Sequence, residues 1–266
     1  MILGINGIIA GKGVASIDAD AQAFITAASI TDTTQQSAIN TLVNDLKSAN
    51  IWSKMKAIYP FVGGSATSHK FNLKDPRDLD VAFRLAFNGG GTHSSNGYQL
   101  NGSNAFANTF FTPSSHFISA QRAGIGVYSR TERGSSSAKV MGVDSGSGWI
   151  FLTLNDSNYT YALINTNWAN YSGPTLSYTT TKGFFQASRD NSTNTQLINR
   201  NGTTTSGTSN TTGLSTSPIT IGCSSTLYYD TVQLAYAFIS DDMSSTDLIN
   251  HRNAVQAYQT ALNRQV

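Results

Sequence analysis

Hydrolysis of a glycosidic bond generally takes two carboxyl groups, one protonated as the acid and one ionised as nucleophile or base. This chain has a single glutamate, Glu132, within Arg130-Thr131-Glu132-Arg133-Gly134. Two flanking arginines favour its ionised form and make it a poor proton donor. No Asp-x-Asp or Asp-x-Glu pair falls in a strand-like segment, so the chain is read as non-enzymatic, with glycoside hydrolysis the least favoured alternative. His69, His93, His116 and His251 are scattered without zinc-ligand spacing. The lone Cys223 excludes an intrachain disulfide and a multi-cysteine metal site, and its place in an alternating apolar segment reads as a buried thiol. Gly11-Lys12-Gly13 lacks the glycine spacing and the hydroxyl residue of a phosphate loop, and no Gly-x-Ser-x-Gly elbow occurs.

Calcium is the one cofactor that the loops suggest. Asp190, followed by Asn191-Ser192-Thr193-Asn194, offers oxygen ligands, and Asp241, Asp242 and Asp144 are further weak candidates. The loop lacks the central glycine and final glutamate of a calcium motif, so polar turns in which Asp and Asn bond their own backbone are the favoured reading. No cofactor is therefore assigned.

The positive signal is aromatic. Tyr159, Tyr161, Trp168, Tyr171 and Tyr178 are interleaved with Asn155, Asp156, Asn158, Asn165, Asn167 and Asn170. Sugar binding uses such sets, because a ring face packs on the apolar side of a pyranose while amides and carboxylates satisfy its hydroxyls. Core packing is the competing role for most of these rings. Trp168 and Tyr171 lie in a loop-like segment, so the candidate carbohydrate site is Trp168, Tyr171, Tyr178, Asn167 and Asn170.

Composition sets the frame around these residues. The chain has 266 residues, of which only 12% are charged, with a net charge of +2. Ser, Thr, Asn and Gly carry the polarity, as in β proteins displayed outside cells or on virions. Nucleic acid is not an expected partner, because a clustered basic surface is missing. No segment is apolar enough to span a membrane, and Met1 to Ile9 is a poor secretory signal.

Residues 1–65 read as a helical region. A helix near Ala21 to Ala28 is followed by one that Asp32 caps, with Gln35 completing a capping box and Ile39, Leu42, Val43 and Leu46 forming its stripe. Asn50 is expected to cap a short helix with Ile51, Met55 and Ile58 inside, ended by Pro60. From about residue 70 the period becomes two: Val81, Phe83, Leu85 and Phe87 alternate as one face of a strand. Further strands are expected near 117–120, 125–130, 149–154, 159–165, 183–189 and 196–199. Asn201-Gly202 suits a tight hairpin, with an edge hairpin or surface loop following over 203–217. Ser244 or Thr246 caps a last helix with Leu248, Val255, Tyr258 and Leu262 inside. Residues 66–266 thus read as a mainly β, jelly-roll β-sandwich with a C-terminal helix.

Two resemblances extend this reading. The order Ile219-Thr220-Ile221-Gly222-Cys223, Tyr228-Tyr229-Asp230, Leu234 to Ile239 and a helix after Asp241-Asp242-Met243-Ser244-Ser245-Thr246 resembles the closing segment of the laminin-G and concanavalin A-like lectin family. The runs from Asp18 to Lys47 and from Ile51 to Phe87 resemble segments of tailed-bacteriophage structural proteins in which a helical leader precedes a lectin-like domain. That likeness covers residues 18 to about 130. It implies a virion structural protein, as capsid decoration, head fibre or tail component, assembled in the host cytoplasm and displayed at the virion surface. Other virion proteins would be held through residues 1–65, with Met1 to Ile9 suited to an intersubunit strand in a homo-oligomer, often a trimer. The alternative it leaves open is an adhesin that binds host-surface glycan through many weak copies.

Overall fold

A computed structural model describes residues 16–170, 173–189 and 195–266. The proposed intersubunit strand Met1 to Ile9, Tyr171, and the loop Asp190 to Asn194 lie outside the described residues.

Alternation of apolar side chains builds two antiparallel sheets. Among the described residues, the first sheet has eight strands in the order β13 (Thr203–Thr208), β12 (Thr195–Arg200), β11 (Gly183–Arg189), β6 (Ala123–Ser129), β15 (Gln233–Ser240), β4 (Gly97–Gln99), β3 (Thr92–Ser94), with β1 (Met55–Tyr59) also paired to β15. The second has seven, ordered β10 (Thr175–Ser177), β9 (Tyr159–Thr166), β8 (Trp149–Asp156), β7 (Met141–Val143), β14 (Thr220–Ile221), β5 (Phe106–Asn108), β2 (Ala86–Asn88). Ile125, Val127, Ala237 and Ile239 of the first sheet meet Ile150, Leu152, Ala162 and Ile164 of the second in the sandwich core. The result is a jelly-roll sandwich with helices before and after it.

The opposite face of the first sheet is covered by helices. Tyr128, Phe184, Tyr236 and Phe238 share a second core with α1 (Ala19–Ala27), α2 (Thr33–Ser48) and α5 (Ser245–Ala261). Asp32 caps α2 by accepting from Gln35 N at 2.8 Å, but Gln35 turns its amide to Gly63 N, so the expected capping box is half formed. Ser244 and Asp247 complete a full box on α5, and Lys54 pairs with Asp247 at 2.8 Å. Ile39, Leu42, Val43 and Leu46 are all fully buried in this second core. Helices α1 and α2 and the sandwich are therefore packed together through one shared core.

Three sequence expectations fail. The segment expected as a helix after Asn50 is a single 3-10 turn, Trp52–Lys54, followed by strand β1. A bulge between Met55 and Ala57 places Met55 and Ile58, three apart, on the same helix-covered face, which imitates a helical period. The segment 81–87 is not one strand: Asp80–Ala82 is a 3-10 turn and Phe83 takes a left-handed φ of 60°. Val81 consequently points outward at 73% exposure, while Leu85 is buried and β2 begins only at Ala86. A strand at 117–120 is also absent; the short α4 (Pro113–His116) precedes it. The hairpin at Asn201-Gly202 forms between β12 and β13, both residues having positive φ.

Candidate functional site

With helices on one outer face, the outer face of the second sheet is left as the broad sandwich surface that none of the described helices α1, α2 and α5 covers. Its composition follows from register. Phe87, Ala107, Ile221, Met141, Leu152 and Ala162 pair across the strands and turn inward. The neighbouring row, Ala86, Asn108, Thr220, Gly142, Phe151 and Leu163, therefore lies on the opposite face of the sheet, where Thr220, Phe151 and Leu163 are nevertheless buried.

A cleft of about 390 Å³ opens over the Asn108 and Thr220 end of this row. Asn88, Phe106 and Asn108 form one side, and Ser145, Ser217, Pro218, Ser225 and Thr226 the other, so the lining is uncharged. Thr220 Oγ1 donates toward Gly142 O and Cys223 O, both at 3.0 Å, which fixes the floor. The Cys223 thiol is buried beneath it, as the sequence suggests, and burial pushes its pKa up.

Beyond Gly142 the row becomes aromatic. A side chain at 142 would meet Phe151 Cβ at 2.3 Å, so the glycine lets Phe151 lie against the backbone. Lys139 Nζ sits 4.8 Å from the Phe151 ring centre and 3.5 Å from that of Tyr228, a cation between two π faces. Burial lowers the Lys139 pKa. Tyr161 and Trp168 continue the strip, their centroids 5.5 Å apart and each about 6 Å from Phe151. Trp168 is half exposed, as is Tyr228.

The sequence candidates are distributed unevenly over this face. Trp168 lies on it. Asn167 and Asn170 bond one another beside Trp168, Asn170 Nδ2 donating to Asn167 Oδ1 at 2.9 Å, and so shape the 3-10 turn Trp168–Asn170. Tyr178 stands just past β10, its hydroxyl donating to Glu132 Oε1 at 2.5 Å. Tyr171 lies outside the described residues. Asn88, Phe106, Asn108, Lys139, Thr220 and Tyr228 escaped sequence reading, although Phe106-Ala107-Asn108 does carry a short alternation.

Glu132 is held differently from the sequence expectation. Burial raises its pKa, but bonds from Thr180, Tyr178 and Thr181 outweigh that and leave the carboxyl below its usual range. Neither flanking arginine supplies this. Arg130 reaches Arg264 O and Gln233 Oε1, and Arg133 turns inward to Asp230. The weak calcium candidates Asp241 and Asp242 are each engaged by a cation, Lys56 at 2.9 Å and Arg122 at 2.7 Å. Asp190 is outside the described residues, and among the described residues no group of three or more His, Cys, Asp or Glu is gathered as a metal site. No helix among them is long and apolar enough to cross a membrane.

No protein-family model matches this chain, and no curated protein matches it. Similar solved structures include Trypanosoma rangeli sialidase in complex with a difluorosialic acid, with a TM-score of 0.52 and 10% identity over 81% of this chain. Domain 4 of AbnA, an extracellular arabinanase from Geobacillus stearothermophilus solved with arabinotriose, gives 0.49 and 14% identity over 74% of this chain and 98% of its own. The botulinum neurotoxin type G receptor binding domain gives 0.47 and 14% identity, covering 76% of this chain and 52% of that one. The chain spans 38% of the sialidase it matches. At such identity the sialidase likeness speaks to fold alone, and it agrees with the register above: the chain is a two-sheet antiparallel jelly-roll sandwich with N-terminal helices and a C-terminal helix.

Proposed function

We propose that the chain is a non-enzymatic, lectin-like display protein that holds glycan against the outer face of its second sheet. The observation that carries this reading is the pairing of an uncharged cleft with two half-exposed rings, Trp168 and Tyr228, on the sandwich face that the described helices leave open. Amide and hydroxyl groups there match sugar hydroxyls, and Trp168 and Tyr228 offer ring faces. Glu132 supports the non-enzymatic part: its acceptor sites are filled by its own neighbours, and an ionised carboxylate cannot act as the acid.

Titration of the protein against a panel of oligosaccharides by calorimetry tests it. Asn108→Ala and Trp168→Ala should each weaken binding roughly ten-fold while the protein stays folded, in line with one hydrogen bond or one ring contact. A panel without any binder, or binding indifferent to both substitutions, would refute the assignment. Release of reducing sugar by the wild type would refute its non-enzymatic part.

The setting rests on the likeness of residues 18 to about 130 to tailed-phage structural proteins. On that reading the chain is a virion component that contacts sibling proteins through residues 1–65 and assembles as an oligomer. Since the apolar stripe of α2 is consumed by the chain's own core, such contacts would use the polar outer faces of α1 and α2 or residues 1–16. Deletion of residues 1–16 should abolish incorporation into particles while the sandwich still folds, and labelled particles that retain the deleted protein would refute it.

A further inference from the structure

Asparagine followed by glycine is the dipeptide in which the next backbone nitrogen most readily attacks the side-chain amide, because glycine puts no Cβ in the way. The described residues contain four such pairs: Asn88-Gly89, Asn96-Gly97, Asn101-Gly102 and Asn201-Gly202. All four asparagines are exposed, so exposure does not distinguish them. Hydrogen bonding distinguishes Asn101 and Asn201, and the burial of Gly97 in a strand distinguishes Asn96.

Asn101 is locked on both sides. Its Oδ1 accepts from Ser103, Asn104 and Ala105 N, its Nδ2 donates to Asn104 Oδ1, and the nucleophile Gly102 N is engaged by Asp230 O at 2.9 Å. Asn201 accepts from Phe184 N at 2.7 Å and donates to Lys182 O, while Gly202 N donates to Asn199 Oδ1. Gly97 is buried at the start of β4, in register with Ser94 and against Leu234 O. Asn88 is different. Its amide makes one exposed bond, Nδ2 to Ala86 O at 3.0 Å, and the N–H of Gly89 donates to no described residue. Asn88 ends β2, the edge strand of the second sheet, so among the described residues no further strand covers it.

We propose that Asn88-Gly89 is a self-modification site. Gly89 N bonds to Asn88 Cγ, the amide nitrogen leaves as ammonia with the proton from Gly89, and a succinimide closes. Water then adds to one of the two ring carbonyls and opens the ring to aspartate or isoaspartate, so the sum is asparagine plus water giving acid plus ammonia. The new carboxyl, with an ordinary pKa of about 4, is ionised at neutral pH. Because Asn88 lines the otherwise uncharged cleft, the reaction places a negative charge at the cleft rim. That last consequence rests on the glycan-face reading, whereas the chemistry does not.

The test is peptide mapping by mass spectrometry on the full chain aged at mildly alkaline pH, folded and in denaturant. In the fold Asn88 should convert at least about ten-fold faster than Asn101 or Asn201, whose net hydrogen bonds must open first. In denaturant all four should react at similar rates. Asn88 unchanged in the fold while reactive in denaturant, or Asn101 or Asn201 matching it in the fold, overturns the proposal. Asn88→Gln keeps an amide with a slower-closing ring and should abolish conversion at this position; acid formed there at the wild-type rate would also overturn it. Asn88→Asp mimics one product. If peptide mapping succeeds but Asn88→Asp binds glycans like the wild type, it is the assignment of the cleft that fails, not the modification.

Discussion

Replacing Arg133 with methionine should destabilise the protein severely, and the structure indicates by how much. Arg133 Nε lies 3.0 Å and 3.1 Å from the two oxygens of Asp230, with side-chain exposures of 5% and 0%. The same guanidinium donates to the carbonyls of Gly134, Asn155 and Ala138. Asp230 in turn accepts from Thr231 and Val232 N, and its own carbonyl holds Gly102 N. Arg133→Met leaves a dry carboxylate and orphaned carbonyls, for which a loss of about 3–5 kcal/mol is expected. For a chain of this size that is roughly a 10 °C fall in melting temperature. Arg133→Met paired with Asp230→Leu should recover part of the loss, because the stranded charge is gone.

The pH dependence supplies a second reading of the same pair. Burial pushes the Asp230 carboxyl up, against the pull of Arg133 and the Thr231 and Val232 N–H groups. A carboxyl whose folded pKa exceeds its unfolded value binds protons more tightly in the fold, so its contribution is full at low pH and is lost as pH rises through the folded pKa. Removing Arg133 raises that pKa further, so the deficit of the variant should grow from about pH 4 upward. Urea denaturation at several pH values measures it. A variant within about 1 kcal/mol of wild type at neutral pH, or a deficit larger in acid than at neutrality, would refute the reasoning.

Other predictions follow from single contacts. His69 and His251 are buried, and burial lowers each pKa to about 3. The unfolded chain takes up these protons near pH 6.5, so melting temperature should fall as pH drops from about 6.5 toward 3; a flat profile across that range would count against it. His251→Phe should lower stability near neutrality by about 1–3 kcal/mol, since Tyr236 Oη and Gln186 Oε1 lose their partner, yet flatten the acid slope. Gly142→Ala should cost several kcal/mol by chemical denaturation, because its φ of 149° and the 2.3 Å approach to Phe151 Cβ leave no room. Glu132→Gln should loosen the 178–181 segment, read as faster amide exchange at Thr181, while leaving the global melt nearly unchanged.

Much of the architecture was legible in the order of residues because one physical signal, side-chain periodicity, survives in a local window. Trp149 to Leu154, Tyr159 to Asn165 and Gly183 to Arg189 are strands rich in apolar residues and buried almost throughout. Asp32 and Ser244 announce their helices through hydroxyl or carboxylate caps that act within three residues. Local windows mislead where a distant partner decides. Ile58 pairs with Phe238, and only β15 makes that segment a strand. Phe83 and Leu85 alternate like a strand, but Leu85 N is taken by Lys70 O at 2.7 Å.

The site was less legible than the fold for the same reason. Trp168 could be singled out because a large ring in a loop-like segment has few apolar neighbours in sequence. Asn88, Asn108, Thr220 and Lys139 come from four separated segments, and nothing in their own neighbourhoods marks them. What the sequence determined by itself is the single glutamate, the uncharged polarity and the two-sheet pattern, since each is a property of residue types or of spacing along the chain. The tertiary structure decided which sheet face is covered by helices, where Arg133 and Glu132 turn, and which of the exposed Asn-Gly pairs is left unlocked. Those outcomes depend on strand register and on hydrogen-bond partners far apart in sequence, which no local pattern encodes.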